Sequence, residues 1–525
     1  MPELDWVGKK AVLNHHREVP FHLLKCNKSL SVGDAGSGNL LVQGDNLLAL
    51  KALLPYYAGK VKCIYIDPPY NTGNENWVYN DNVNSPEIRR WLRKTVGKEG
   101  DDLSRHDKWL CMMYPRLSLL RNFLTEDGVI LISLDETELA HLRLMLDEVF
   151  GKANFIGSFV WNTRNTDNRV KTYLSPDHEY IIAYGRSHGA SILGRRIDRS
   201  DFKNPDNDPR GPYVTDPLTG KATATERPNL HAYNMEQPGT SNVWKPDPAK
   251  GWITDEAGYR ALLADNRIWW PPNPARGKPR KKRFLSETQE RMPASSFWTE
   301  FRALSGAKEV GDILGRRVFA FPKPISVIQK VIDHCAPPDC IVLDSFAGTG
   351  TTAHAVLAQN TADGGSRRFI VVEMDEAISR DVTAQRIRKA IEGYGDTPGL
   401  GGGFRYCTLG AGLFDQAGNI SPEVRFADLA AHIYFTETGE PIPKRAGRTP
   451  LLGVHNGTAI YLLFNGVLGD KRPDGGNVLT SITLAGLPQH DGPKTVYGEG
   501  CRLSPPRLKR ERVTFKQVPY GIKVT

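Results

Sequence analysis

Asp67-Pro68-Pro69-Tyr70 is the segment of this sequence best equipped for chemistry. It follows VKCIYI (61–66), an apolar run that reads as a buried strand. A Pro-Pro pair fixes two φ angles and cannot continue a sheet. The segment is therefore expected to form a rigid turn at the carboxyl edge of a sheet, where open α/β folds bind ligands. It offers a carboxylate, a proline carbonyl and an aromatic face on fixed backbone. Without a ligand, the same residues would simply end a strand and pack Tyr70 on the sheet rim.

A second segment, Asp344-Ser345-Phe346-Ala347-Gly348-Thr349-Gly350-Thr351-Thr352-Ala353, lies between a strand pattern, CIVLD (340–344), and a helix pattern, TAHAVLAQN. Glycines let a ligand approach the backbone, and a helix N-terminus supplies N–H donors. Gly348-x-Gly350-x-x-Ala353 fits the loose dinucleotide fingerprint, and Glu373 closes the next strand as a ribose-binding acid would. Taken alone, this loop fits a nicotinamide or flavin oxidoreductase and a ligand-free turn as well.

The elements around these segments alternate. Residues 1–38 read as an irregular arm ending in SVGDAGSG. From 39 to 185, strand patterns (61–66, 126–134, 155–161, 178–185) alternate with helical ones (106–124, 135–151). Asp135 is placed to cap the second of these helices. Such alternation implies a parallel sheet with helices on its faces. Residues 186–318 break the pattern with Pro, Gly, Asn and Asp, and carry Trp244, Trp252, Trp269, Trp270 and Trp298. Alternation resumes over 319–398, and the glycine run 399–403 is read as the boundary of a C-terminal α+β module, 399–525. Ser504-Pro505-Pro506-Arg507 reads as a helix-starting turn.

The chain has 525 residues, enough for two to four domains with a sizeable core. Lys and Arg number 68 against 59 Asp and Glu, a net charge of +9, which mildly favours a polyanionic partner. Six of the eight residues in RGKPRKKR (276–283) are basic. Lys278, Arg280, Lys281, Lys282 and Arg283 read as a phosphate-tracking patch, with a solvated surface loop as the alternative. The tryptophans nearby read as the core of a small domain, with base stacking as the alternative. Seven scattered cysteines, an odd number, argue against a disulfide framework. Neither Cys nor His shows metal-site spacing, so no metal is expected. No signal peptide or membrane-spanning run is visible, which points to a cytoplasmic protein.

Asp-Pro-Pro-Tyr together with Phe-x-Gly-x-Gly resembles the amino-methyltransferases that methylate exocyclic nitrogens of DNA bases. Here the catalytic segment comes first, a long insert follows, and the cofactor loop comes last. That order resembles the family's β class, in which the insert is a target-recognition domain, here 186–318. Gly44-Asp45-Asn46 and Phe321-Pro322-Lys323-Pro324 resemble two further family segments. Asp67-Pro68-Pro69-Tyr70-Asn71-Thr72-Gly73 and the insert look like the modification subunits of type III restriction systems.

The resemblance implies a Rossmann-like α/β methyltransferase fold with a seven-stranded mixed sheet. It also implies S-adenosyl-L-methionine as cofactor and adenine N6 in double-stranded DNA as target. Asp67 would accept an N6–H bond, the Pro68 carbonyl the second, with Pro69 holding the turn, and Tyr70 would stack on a flipped base. Phe346, Gly348, Gly350 and Thr351 would line the cofactor with Lys323, and Glu373 would bond its ribose. Asp45 and Asp344 belong near the cofactor or serve as local caps. Asp rather than Ser at 67 favours adenine over cytosine N4. The remaining alternative is an idle subunit that only specifies sequence. The resemblance admits a restriction or translocase subunit and a second copy of the chain as partners.

Overall fold

The computed structural model describes residues 4–72, 105–165, 174–316, 318, 321–415, 418–443, 449–467 and 469–519. Gly73 lies outside them. Two compact units emerge, one of residues 1–193 and 294–525 and one of residues 194–293. Residues 186–193 and 294–318, expected in the insert, thus belong to the larger unit.

The larger unit begins with β1 (His22–Gly33), β2 (Leu40–Gln43), α1 (Asn46–Tyr57), β3 (Val61–Ile66), α2 (Arg105–Phe123), β4 (Leu124–Leu134), α3 (Leu139–Leu146), β5 (Phe155–Asn162) and β6 (His178–Gly185). The smaller unit supplies β7 (Tyr213–Pro217), β8 (Ile268–Trp269) and β9 (Arg280–Phe284). The chain then continues through β10 (Phe297–Trp298), α4 (Leu304–Leu314), α5 (Ile325–Cys335), β11 (Ile341–Asp344), α6 (Thr351–Asp363), β12 (Arg368–Glu373), α7 (Ala384–Glu392) and β13 (Gly403–Gly412).

Ten strands form the main sheet, in the order β1-β13-β2-β12-β11-β3-β4-β6-β5-β10. From β13 to β4 neighbours run parallel, whereas β6 is antiparallel to both β4 and β5. The expected seven strands are the stretch from β2 to β5. Three strands beyond the expectation widen it. β1 comes from the supposed irregular arm and pairs antiparallel with β13. β13 begins in the glycine run, which is therefore not a boundary. β10, from the end of the supposed insert, pairs parallel with β5.

Pairing of β1 with β13 sets Cys26 opposite Cys407, and the two form a disulfide. A single disulfide is thus present where the odd cysteine count argued against a framework, and the other five cysteines are thiols. Residues 381 apart in sequence meet through strand register, which spacing does not reveal.

Residues alternate between the two faces of a strand. Ile64 and Ile66 of β3 pack in one layer with Leu50 and Leu53 of α1 and Leu117 and Leu120 of α2. Cys63 and Tyr65 pack in the other with Val327 and Val331 of α5 and Ala353 and Val356 of α6. Each fully buried Leu or Ile contributes about 1.5–3 kcal/mol, so the sheet's carboxyl edge rests on a rigid sandwich. Beyond β13 come α8 (Phe426–Thr438) and a four-stranded sheet of β14 (Leu451–His455), β15 (Thr458–Leu462), β16 (Lys494–Gly498) and β17 (Val513–Gln517). Ser504 precedes the helix Pro505–Arg510, as the sequence suggested.

In the smaller unit, Trp244, Trp252, Tyr233, Tyr259 and Ile268 form the core, and Trp244 stacks on Trp270. Trp298 is buried in the larger unit. RGKPRKKR is a loop only over 276–279, because Arg280–Phe284 is the central strand β9 between β8 and β7. Its alternation turns Lys282 inward, 1% exposed, with Nζ 2.6 Å from Asp206 and 3.0 Å from Asp208. Lys282 is thus a buried ion-pair partner and not a phosphate contact. Arg280 bonds Thr215, whereas Arg283 and Lys278 pair with Asp216 and Asp247 at partly exposed positions.

Candidate functional site

β3 and β11 are parallel neighbours, with Val342 opposite Cys63 and Leu343 opposite Ile64. Their carboxyl ends therefore bring the two chemically equipped segments together. One pocket is lined by Asp67, Lys323, Asp344, Phe346, Gly348 and Thr351, among others.

Asp67 leaves β3 directly into the Pro-Pro turn. Trp109 Nε1 of α2 donates to the Pro69 carbonyl at 2.7 Å and pins it. Among the described residues, no hydrogen bond claims the Pro68 carbonyl. Asn71 closes the turn in the left-handed region, φ 61°.

Lys323 was grouped with the cofactor segment by its motif. Its Nζ lies 3.0 Å from Asp67 Oδ1, 3.4 Å from Glu179 Oε2 and 4.8 Å from the centre of the Tyr70 ring. The Tyr70 hydroxyl donates to Glu179 at 2.9 Å. Burial alone would lower the Lys323 pKa, but the charges of Asp67 and Glu179 outweigh it and raise it. Burial, reinforced by Asp67, pushes the Glu179 carboxyl up despite Lys323. Gly306 of α4 lets this arrangement form, because a Cβ there would lie 2.0 Å from the Pro322 carbonyl oxygen.

On the loop after β11, Gly348 and Gly350 take φ of 49° and 79°, a region that favours glycine. The Gly348 N–H donates to Glu373 Oε2 at 2.8 Å, and the Asp375 N–H to Oε1 at 2.9 Å. Asp344 accepts from the Phe346 N–H at 2.9 Å and the Thr352 hydroxyl at 2.6 Å. Burial pushes its carboxyl up to about 7 against those two bonds. Arg386 of α7 donates to Thr349 and Thr351 from beneath the loop.

Asp45 caps α1, accepting from the Leu47 and Leu48 N–H groups, and pairs with Arg116 at 3.2 Å. Asn46 donates to the Ser345 carbonyl at 3.2 Å, which ties α1 to the glycine loop.

Sequence reading missed Glu179, Gly306, Arg386 and Arg116. Only Glu179 left a trace, as a carboxylate at the start of an otherwise apolar strand. The described residues contain no helix long and apolar enough to cross a membrane.

A profile of the DNA methylase family matches residues 61–385. The chain is 33% identical over 395 residues to the StyLTI Mod subunit, part of a type III restriction-modification enzyme of Salmonella typhimurium. That match covers 72% of this chain and 58% of the subunit, so the chain spans less than two thirds of that relative's length. It is 32% identical over 369 residues to the type II methyltransferase M.KpnI of Klebsiella pneumoniae, covering 67% of this chain and 84% of that one. Among solved structures, the PvuII DNA methyltransferase (cytosine-N4-specific) aligns at 12% identity and a TM-score of 0.34, covering 67% of this chain and 86% of that one.

Proposed function

From a chain that belongs to the DNA methylase family, we propose a site-specific DNA methyltransferase that modifies the N6 amine of a flipped adenine in double-stranded DNA, with S-adenosylmethionine as methyl donor. The observation that carries this reading is the shared pocket, in which Asp67 and the glycine loop face one another. Its setting is a restriction-modification system, as in the relatives named Mod subunits. A restriction subunit is then the expected partner, a second copy of the chain another, and the cytoplasm the compartment.

The pocket, together with Gly350 and Glu373 next to its lining, carries a donor set that fits the cofactor. Gly348 and Gly350 present bare backbone, Phe346 an apolar face, and Thr351 opens the N-terminus of α6. Glu373, at the end of β12, accepts the Gly348 and Asp375 N–H groups, which holds its carboxylate beside the glycine loop as a ribose-binding acid requires. When bound, S-adenosylmethionine supplies an already activated methyl group.

The chain's residues act on the base. The adenine amine is a poor nucleophile because its lone pair is delocalised into the ring. The Asp67 carboxylate accepts one N6–H and stabilises the positive charge that grows on nitrogen as the new bond forms. The Pro68 carbonyl accepts the other N6–H, aimed by the pinned turn. Tyr70 offers its ring to the base taken out of the stack. Asp67 rather than Ser supports adenine over cytosine. The unit 194–293 is read as the target-recognition part, with Lys278, Lys281 and Arg283 toward phosphates, whereas Arg280 shares the face of Lys282 and bonds Thr215.

The test is to map modified bases in DNA from cells expressing wild type and Asp67→Ala, and to titrate both purified proteins with S-adenosylmethionine. N6-methyladenine at a defined site, lost in the variant while cofactor affinity persists, is the expected result. N4-methylcytosine, or full activity in the variant, would overturn it.

A further inference from the structure

Beside the Asp67 turn lies a cluster that the proposed reaction does not use. The Glu138 side chain, at the N-cap of α3, is completely buried. His106 Nδ1 of α2 lies 2.6 Å from its Oε1, and His141 Nδ1 of α3 lies 2.7 Å from its Oε2. The donor atoms of these three residues all lie within 4.8 Å of one another. Both imidazoles are over a third exposed, so an ion can arrive from solvent.

Two features single this cluster out. Among the described residues, Glu138 pairs with no Lys or Arg. Within those residues its carboxylate is buried against donors without a fixed positive charge, and an uncompensated buried charge is costly. In addition, Asn71 Nδ2 donates to Glu138 Oε1 and to the Arg105 carbonyl, whereas its own Oδ1 is buried with no partner. Turning that amide over would present Oδ1 as a fourth donor.

We propose that His106, Glu138 and His141 bind a late first-row divalent cation of the zinc class, which fastens Asn71 and with it the Asp67–Tyr70 turn. Two imidazoles and one carboxylate, with an amide oxygen or water in fourth place, suit Zn2+. Zinc bonds near 2.0–2.2 Å at tetrahedral angles set ligand atoms ~3.4 Å apart. The His–Glu contacts therefore open by under an ångström to admit the ion. The binding claim is independent of the methylation reading.

The test uses the full chain, freed of metal by chelation, and zinc chloride as the probe. Calorimetric titration should give one saturable site in the wild type. His106→Gln and His141→Gln should each weaken it by at least tenfold, and Asn71→Ala, which removes the amide oxygen from the fourth place, by about tenfold. His490→Gln, at a half-buried position elsewhere, should leave it unchanged. Zinc should raise the melting temperature of the wild type but not of either histidine variant, whose folding is checked by circular dichroism. Co2+ in place of Zn2+ should give visible absorption bands that vanish in the same two variants. No saturable site in the wild type, or wild-type zinc affinity in both histidine variants, would overturn the proposal and leave the histidines as donors to Glu138.

Discussion

Lys323→Met keeps the length of the side chain and removes the charge between two carboxylates. In the wild type, Nζ lies 3.0 Å from Asp67 and 3.4 Å from Glu179. At an effective dielectric constant of about 20, each attraction is worth ~5 kcal/mol. Desolvation of the three groups cancels a large share. Breaking such a buried arrangement by removing one partner leaves a loss of about 3–5 kcal/mol. The loss should depend on pH with a definite sign. Glu179 is already pushed up by burial, and without Lys323 it is pushed up further. A carboxyl raised in the fold binds its proton more tightly there than when unfolded, so its stability contribution is present at low pH and lost as pH rises. Each unit of additional shift is worth ~1.4 kcal/mol. The deficit of the variant should therefore be larger at about pH 8 than at about pH 5, read from urea unfolding midpoints of both proteins without ligand. A deficit below about 1 kcal/mol at the higher pH, or one that grows on acidification, would refute this account of the site.

Asp344, pushed up to about 7 by burial, stabilises the fold at acid pH and loses that contribution between about pH 4 and 7, on the order of 4 kcal/mol; Asp344→Asn should flatten the stability–pH curve over that window, and two parallel curves would contradict it. Gly306→Val sets a side chain against the Pro322 carbonyl, 2.0 Å from its Cβ, and should displace Lys323 enough to cut methylation on the order of a hundredfold, whereas unaltered turnover would show that the segment yields harmlessly. Lys282→Met should destabilise the 194–293 unit by about 3–5 kcal/mol in thermal unfolding without changing the salt dependence of DNA binding. Neutralising Lys278, Lys281 and Arg283 together should shallow that dependence by up to about 0.9 in log–log slope per lost contact, and an unchanged slope would leave them as domain-stabilising cations.

The two candidate segments were legible in the sequence because each is a local device. A buried strand ending in Pro-Pro, and a strand–glycine loop–helix, are written in contiguous residues. Their turns follow from φ restriction and glycine freedom, whatever the rest of the chain does. Asp67, Gly348 and Glu373 could therefore be singled out from their neighbours, Phe346 only through the family resemblance, and strand–helix alternation was enough for an α/β sheet. Tertiary structure decided what those residues face. Glu179 enters the site and Cys26 meets Cys407 only because the sheet order brings distant strands side by side, and Lys323 meets Asp67 from the segment that leads into α5. Lys282 looked like its basic neighbours until the two-residue period of β9 turned it inward onto Asp206 and Asp208. His106, Glu138 and His141 show no metal spacing, because α2 contributes one donor and the start of α3 the other two. Local rules carry through a few residues of backbone. Register and crossover order are properties of the packed sheet, and they determine which charges are buried together.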